Sequence, residues 1–321
     1  MEPAIHTSIK KETPMLSILI RKILSLMLIL AAGWLLAKKG PLTEADSKSL
    51  SRLTVYLVMP CSIFSAFQME RSPEVLKNLG LVLAAALCIH LVYIGLTGLL
   101  RRPLRLDPVE QCSLIYTNAG NLIIPLVSAM LGPEWVIYTS AYILTMTVLT
   151  WSHGKSLLCG EAGADLKALG RNPNILALLA GVGLFLLNRQ LPQLLRDTVS
   201  TVGSMVGPLS MLVTGMLLST QSLRRVLTSG RIWLVTGLRL ILYPLSALAV
   251  LGLLGLAVPS ARDCFLITMM AAAAPCAGLI TNICQLYDRD SAYAGAICTL
   301  TTLMCALTIP LMVWLYTGLF L

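Results

Sequence analysis

Apolar blocks follow one another along nearly the whole sequence, and most approach the roughly 20 residues that a helix needs to cross a bilayer. They occupy residues 16–37, 50–68, 79–100, 109–131, 135–158, 173–187, 198–220, 232–257, 264–286 and 293–319. Only 12% of the 321 residues are charged, against about 25% in a typical soluble domain. Too few polar residues remain to cover a water-exposed surface. The sequence therefore predicts an all-α polytopic membrane protein with about ten transmembrane helices.

The ten blocks divide into two halves that have similar features at corresponding positions. We divide the chain into an N-terminal tail (1–15), a first five-span repeat (16–158), a hydrophilic connection (159–172) and a second five-span repeat (173–321). Pro60 and Pro208 interrupt the second and seventh blocks, and Cys112 and Cys264 open the fourth and ninth. Because each half has an odd number of spans, the second must be inverted relative to the first. Inverted repeats are the architecture of many secondary transporters.

The distribution of Lys and Arg predicts the orientation of the chain. Loops after odd-numbered spans hold 14 of these residues and the opposite side holds 9, with Arg239 left inside the eighth block. Cytoplasmic loops of membrane proteins carry the excess of positive charge. The connection at 159–172 is therefore expected in the cytoplasm and both termini outside, with the protein in the plasma (cytoplasmic) membrane.

Several classes of function lack their signature in this sequence. The net charge of +9 comes without a basic stripe, so no nucleic-acid partner is expected. The nine cysteines form no CxxC pair, so we expect neither a metal site nor a cofactor. An intramembrane enzyme would need a nucleophile–base pair or metal ligands within its spans. No HExxH motif, GxSxG motif or mid-membrane aspartate pair is present, and no catalytic residue is assigned.

The fourth and ninth blocks differ from the others because polar residues and prolines lie in their middle. Their candidate substrate-binding residues are Asn118, Gly120, Asn121 and Pro125 in the fourth block and Pro275, Cys276 and Asn282 in the ninth. Proline breaks helical hydrogen bonds, and paired broken helices in two repeats mark a midplane substrate site. A broken helix presents free N–H groups and a positive dipole end, which suit an anion. The prolines as simple kinks, and Asn118 as a helix–helix contact, remain alternatives.

Two ionisable residues lie within apolar blocks. His90, in the third block, is either a hydrogen-bonded packing residue or a proton relay. Arg239 lies about eight residues into the eighth block. Its side chain would either snorkel to the inner interface or neutralise a bound anion. No Asp or Glu falls at the centre of any block.

With these residues in view, the chain resembles the auxin efflux carrier (AEC) family, bacterial relatives of the plant PIN-FORMED carriers. The resemblance extends from about Leu16 to Leu319. It rests on Gly33–Gly40 with Leu50–Leu53 and Met59-Pro60, on Thr117–Gly120 with Pro125, on Gly207–Met211 with Gly215-Met216, and on Ala274-Pro275 with Gln285 and Tyr287.

This resemblance implies the fold of the bile-acid symporter and PIN group. Spans 1, 2, 6 and 7 would form a scaffold through which a homodimer assembles, and spans 3–5 and 8–10 a moving transport domain. Spans 4 and 9 would cross beside the substrate. Family substrates are organic anions, among them auxin, malate and malonate.

We therefore expect a carrier, working in the direction of efflux, for a small organic anion: an auxin-like monocarboxylate or a malate- or malonate-type dicarboxylate. Its mechanism would be elevator-like, with Asn118 and Asn121 donating hydrogen bonds to a carboxylate. An organic-anion symporter of the same fold, coupled to Na⁺ or H⁺, remains an alternative. A receptor or sensor that does not transport is a second alternative.

Overall fold

The computed structural model describes residues 12–70, 72–124, 126–127, 131, 135–160, 171, 173–219 and 227–321, and this part of the chain is helical. The helices are α1 (Glu12–Lys39), α2 (Glu44–Leu53), α3 (Met59–Ser65), α4 (Pro73–Leu100), α5 (Pro108–Ile115), α6 (Val136–Leu149), α7 (Lys155–Cys159), α8 (Pro173–Leu186), α9 (Gln193–Ser204), α10 (Val206–Ser219), α11 (Gly230–Gly237), α12 (Tyr243–Ala257), α13 (Arg262–Ala272), α14 (Gly278–Leu286) and α15 (Ser291–Phe320). Single π-helical turns join α2 to α3, α6 to α7 and α11 to α12, and a fourth, Ala119–Ile123, follows α5.

Each predicted apolar block coincides with one of these helices or with a broken helix. Four helices in the described part of the chain are both long and apolar enough to cross a membrane: Pro73–Leu100, Gln193–Ser219, Gly230–Ala257 and Ser291–Phe320. The interruptions predicted in the fourth and ninth blocks are present, because α5 ends at Ile115 and α13 ends at Ala272, each in mid-block. The fourth block breaks ahead of Pro125, which lies outside the described residues. The count of ten spans and the inversion of the second half stay predictions.

Local signals in the sequence fix where helices begin. The Asp107 carboxylate accepts the N–H of Glu110 at 2.9 Å, and the Glu110 carboxylate accepts the N–H of Asp107 at 2.9 Å. This reciprocal capping box satisfies donors that have no partner inside the helix. Pro108 occupies the first turn of α5, where its missing N–H costs nothing. The capping box and Pro108 therefore fix where α5 begins, and this helix of only eight residues ends at Ile115.

A first group of helices packs around α10. α10 lies along α1, while α3 packs against α8 and α9. Two glycines permit the close approach of α1 and α10, because a Cβ at Gly33 would overlap the backbone of Leu212. A Cβ at Gly215 would likewise overlap the carbonyl oxygen of Leu30. Small residues at such contacts let helix backbones approach closely in a membrane.

Substitution of Gly215 by alanine is expected to lower stability by about 1–3 kcal/mol, the typical cost of overpacking. The added methyl would meet the backbone of α1 at Leu30 and Trp34, which cannot move independently of the helix. Gly80→Ala in α4 is the matched control, because nothing lies within 4 Å of its Cβ position. That change should be neutral or stabilising. Thermal unfolding in detergent measures both, and equal behaviour of the two variants would refute the close contact.

A second group of helices surrounds the two broken ones. α4 packs against α6 and α12, and α13 packs against α4, α6, α12 and α15. α14 packs against α15. The two groups meet where α10 contacts α14 and α15 and where α2 contacts α14. The interruptions of both broken helices lie in the second group.

Leucine side chains cover much of the outer surface. Leu28 on α1, Leu253 on α12 and Leu307 on α15 are each at least 70% exposed. Large apolar side chains rarely form extended exposed surfaces on proteins surrounded by water. Because these helices are strongly apolar, their exposed leucine surface is suited to contact with lipid.

Candidate functional site

The two helix breaks are hydrogen-bonded to each other. Asn118 donates its backbone N–H to the carbonyl of Pro275 at 2.7 Å, and Ala277 donates to the carbonyl of Tyr116 at 3.0 Å. Thr117 and Cys276 thereby face one another as an antiparallel β-bridge. Pro275 cannot donate a hydrogen bond, which explains why α13 does not continue. Helix α14 then starts at Gly278, directly beside the bridge.

Asn118 is a buried polar residue at the crossing, the point where the two helix breaks meet. The residue is only 4% exposed, and its side-chain nitrogen Nδ2 has no hydrogen-bond partner among the described residues. A buried donor left unsatisfied costs about 1–3 kcal/mol. The Nδ2 donor is therefore available to an acceptor outside the described residues, such as water or a ligand.

A small cavity lies against Asn118. Its volume is about 40 Å³, and Gly120 and Ile124 line it from the same broken helix, with Ala277 from the other. Ser62 of α3 contributes to the opposite wall. No charged side chain lines this cavity within the described chain. The amide of Asn118 is therefore placed to donate into a space walled by both helix groups.

A larger cavity of about 580 Å³ lies beside the small one. The two share Ser62, Ala66 and Ile124 as lining residues. The larger cavity is lined further by Ser65, Gln68, Met69, Ile137, Ser200, Gly203 and Ser204, mostly uncharged polar and small residues. It lies toward the C-terminal end of α3, on the side of the small cavity away from α2.

At the other end of the bundle, α2 closes against α14. Ser51 Oγ donates to Gln285 Oε1 at 2.6 Å, and Gln285 Nε2 donates to Ser47 Oγ at 2.7 Å. Lys48 and Asp288 form an ion pair of 2.8 Å at the rim. The Lys48 ammonium holds the pKa of the Asp288 carboxyl below its usual range. These contacts join the two helix groups at this end, which we call the closed end, and a further pocket of about 470 Å³ lies at its rim beside Lys48, Gln285 and Asp288.

The structure separates the predicted site residues into three places. Asn118 and Gly120 line the small cavity, whereas Pro275 and Cys276 form the backbone of the second break. Asn282 lies one turn into α14, where its Oδ1 is 3.3 Å from Ser51 Oγ at the closed end. The side chain of Asn121 and the whole of Pro125 lie outside the described residues.

Arg239 does not snorkel to the interface, so that prediction is wrong. Its side chain is fully buried and points to the carboxyl ends of both broken helices. Nη1 donates to Leu114 O at 2.8 Å, and Nη2 donates to Ala272 O at 2.6 Å and to Ala274 O at 2.9 Å. In a membrane interior, orphaned carbonyls at a helix break need a donor from the protein. The Arg239 guanidinium therefore stays buried against these carbonyls and does not extend to water.

His90 is buried inside the second helix group. Its Nδ1 lies 2.7 Å from Ala86 O, and its ring is 4.9 Å from that of Tyr142. These are the contacts of a packing residue, and His90 does not line either cavity. The proton-relay alternative stays a prediction.

Sequence reasoning missed three contributors to the site region. Ser62 lines both cavities from the facing helix group, and Gln285 closes the opposite end. His153 Nδ1 lies 2.8 Å from the hydroxyl of Tyr116, a residue of the first break. The only signal in the sequence was the occurrence of Gln285 among the residues that carry the family resemblance.

Comparisons with known proteins agree with this architecture. The profile of a family described as "Membrane transport protein" matches residues 18–168 and again residues 162–313. An "Uncharacterized transporter" of Methanothermobacter thermautotrophicus is 26% identical over 306 residues, which cover 90% of this chain and 95% of that protein. Two matches of about half the chain each fit a repeated architecture. The chain is an integral membrane transport protein rather than an enzyme, and it belongs to the auxin efflux carrier family.

Proposed function

We propose that this transporter is a secondary carrier of small organic anions, with its substrate site at the crossing of the two broken helices. The observation that carries the proposal is the Asn118 amide, which lines the small cavity and whose Nδ2 has no hydrogen-bond partner among the described residues. An amide nitrogen can only donate, so its complement is an acceptor such as a carboxylate oxygen.

The surroundings of Asn118 favour negative charge over positive. Helix α14 begins beside the crossing, and the amino end of a helix carries about half a positive elementary charge. Neither cavity is lined by an Asp or Glu within the described residues. A cationic substrate would find no counter-charge there, whereas a carboxylate would find donors and a positive dipole end.

The movement we propose is elevator-like alternating access. α1, α3 and α8–α10 pack together, α4–α6 and α12–α15 pack together, and the proposed site lies on their boundary. The larger cavity of about 580 Å³ lies toward one end of α3, while the contact of Ser51 with Gln285 joins the two groups at the other end. These two features support the proposal. Sliding of the second group against the first would exchange the open and closed ends.

The substrate class is tested by a thermal-shift screen of the purified protein against auxin, malate, malonate and their neutral amide analogues. We expect at least one acid to stabilise the protein, by about 2.7 kcal/mol at 100 times its Kd. The matching amide should have no effect. Stabilisation by neutral or cationic solutes without any response to carboxylates would contradict an anion site.

The proposed orientation places the open end outside the cell and the closed end in the cytoplasm, following the positive-inside rule. Cys159, which ends α7, should then lie at the cytoplasmic face. With the other eight cysteines removed, a membrane-impermeant maleimide should label Cys159 only after the cells are permeabilised. Labelling in intact cells would invert the topology.

A further inference from the structure

Arg239 occupies an unusual position, because it joins two helix breaks that are distant in the sequence. It lies in the π-helical turn Leu238–Leu242 between α11 and α12. Its guanidinium reaches Leu114 O on one broken helix and both Ala272 O and Ala274 O on the other. Nε adds a contact of 3.2 Å to Ala274 O. One side chain thus holds the carboxyl ends of both half-helices.

These carbonyls need a donor because of the breaks themselves. In a continuous helix, Leu114 O would accept the N–H four residues later, which belongs to Asn118. Asn118 donates instead to Pro275 across the crossing. Ala272 O would accept from Cys276, which donates instead to Thr301 Oγ1 at 3.3 Å. The pairing of the two breaks therefore leaves carbonyls without their helical partners, and Arg239 bonds them.

Charge also balances at this point. Neither of the two ion pairs found among the described residues involves Arg239. The carboxyl end of a helix carries roughly −0.5 elementary charge, so two such ends together oppose one guanidinium. The aromatic ring of Tyr93 also lies against the guanidinium, with its centroid 5.3 Å from the guanidinium carbon. The positive charge is thus satisfied by the fold itself, and Arg239 lines neither cavity.

We propose that Arg239 is a positioning residue that sets the crossing of the two broken helices and thereby aims the Asn118 amide at the substrate. It is not itself an anion ligand. The role rests on the proposed function of the crossing as a substrate site. The planar fork of arginine reaches carbonyls on two separate segments, whereas lysine offers a compact point charge without such a fork.

A disulfide across the crossing tests this role without any substrate. Thr117→Cys would face the native Cys276 as a non-hydrogen-bonded antiparallel pair, whose Cα atoms lie about 4.5 Å apart. That separation is within the range of disulfides. In a background without the other cysteines, a membrane-permeable oxidant should couple the two. Free thiols are then counted with a polyethylene-glycol maleimide after denaturation.

We expect Arg239→Lys to slow this cross-linking at least about 10-fold, because the two breaks lose their common anchor. Arg289→Lys is the control, since Arg289 also donates to a backbone carbonyl, that of Cys159 at 2.8 Å, but away from the crossing. It should stay within about twofold of the parent. Cross-linking of Arg239→Lys at the parental rate overturns the proposal.

A transport measurement separates positioning from a merely structural role. In proteoliposomes with malate as the probe, Arg239→Lys should raise KM about 10-fold and leave Vmax per folded carrier within about threefold. A loss confined to Vmax overturns the proposal. If Arg239→Lys is not recovered folded, Tyr93→Phe removes the hydroxyl that donates to Ala272 O at 3.2 Å and keeps the aromatic ring. It should slow cross-linking about threefold, and an unchanged rate would count against the role. Because cross-linking needs no substrate, its outcome does not depend on the carboxylate screen.

Discussion

Replacement of Asn118 by alanine is expected to weaken binding of the organic anion by about 10- to 150-fold. A hydrogen bond from a buried amide to a charged group is worth roughly 1.5–3 kcal/mol, which corresponds to that range of affinity. The fold should tolerate the change, because Asn118 Nδ2 bonds no other described residue and its loss orphans no acceptor. We expect a melting temperature equal to that of the parent or slightly higher. Titration of the purified variant with the best acid of the screen measures the affinity.

Asn174→Ala provides a matched control for the same substitution. Asn174 is buried in α8, and its Nδ2 donates to Val55 O at 3.1 Å, away from both cavities. Its removal should cost about 1–3 kcal/mol of stability by leaving a carbonyl unsatisfied, with unchanged affinity. The two variants should thus show opposite patterns. Normal binding by Asn118→Ala would mean that the crossing is structural and that the site lies elsewhere.

Transport is expected to follow the membrane potential rather than a proton gradient. A potential of 100 mV is worth about 2.3 kcal/mol for each elementary charge that crosses, or about a 50-fold concentration ratio. With the cell interior negative, a monoanion is driven outward without any coupling ion. No carboxylate or histidine lines either cavity within the described chain, so a proton acceptor beside the substrate is not in evidence there.

Proteoliposomes can separate these driving forces. Flux should change with an imposed potassium-diffusion potential and stay nearly flat when a pH gradient is applied at constant substrate charge. His90→Ala and His153→Ala should lower stability and leave that pattern unchanged. Strict dependence on the pH gradient, abolished by either substitution, would identify that histidine as a proton relay and reject the uncoupled mechanism.

The membrane class, the helix positions and the two helix breaks could be predicted from the sequence. Hydrophobic block length defines a membrane helix, and Pro275 with its small neighbours marks a break. Pairing between the breaks could not be predicted, since the bonds of Asn118 to Pro275 and of Ala277 to Tyr116 depend on how distant segments meet.

The position of Arg239 shows why tertiary contacts escape such reasoning. Its depth of about eight residues in a block suggested snorkelling, which is the usual behaviour near a helix end. The carbonyls of Leu114 and Ala272 become acceptors only when both broken helices cross beside α12. Asn282 likewise faces α2 rather than the small cavity because of the rotation of α14 about its axis, which hydropathy does not reveal.

The most direct test of the account is uptake of a radiolabelled organic acid, the best ligand of the screen, into proteoliposomes that contain the parent protein or Asn118→Ala. We expect saturable uptake by the parent, accelerated when the vesicle interior is made positive, with KM raised about 10- to 150-fold by the substitution. Uptake no greater than in empty vesicles would contradict an organic-anion carrier. An unchanged KM in Asn118→Ala would contradict a substrate site at the crossing.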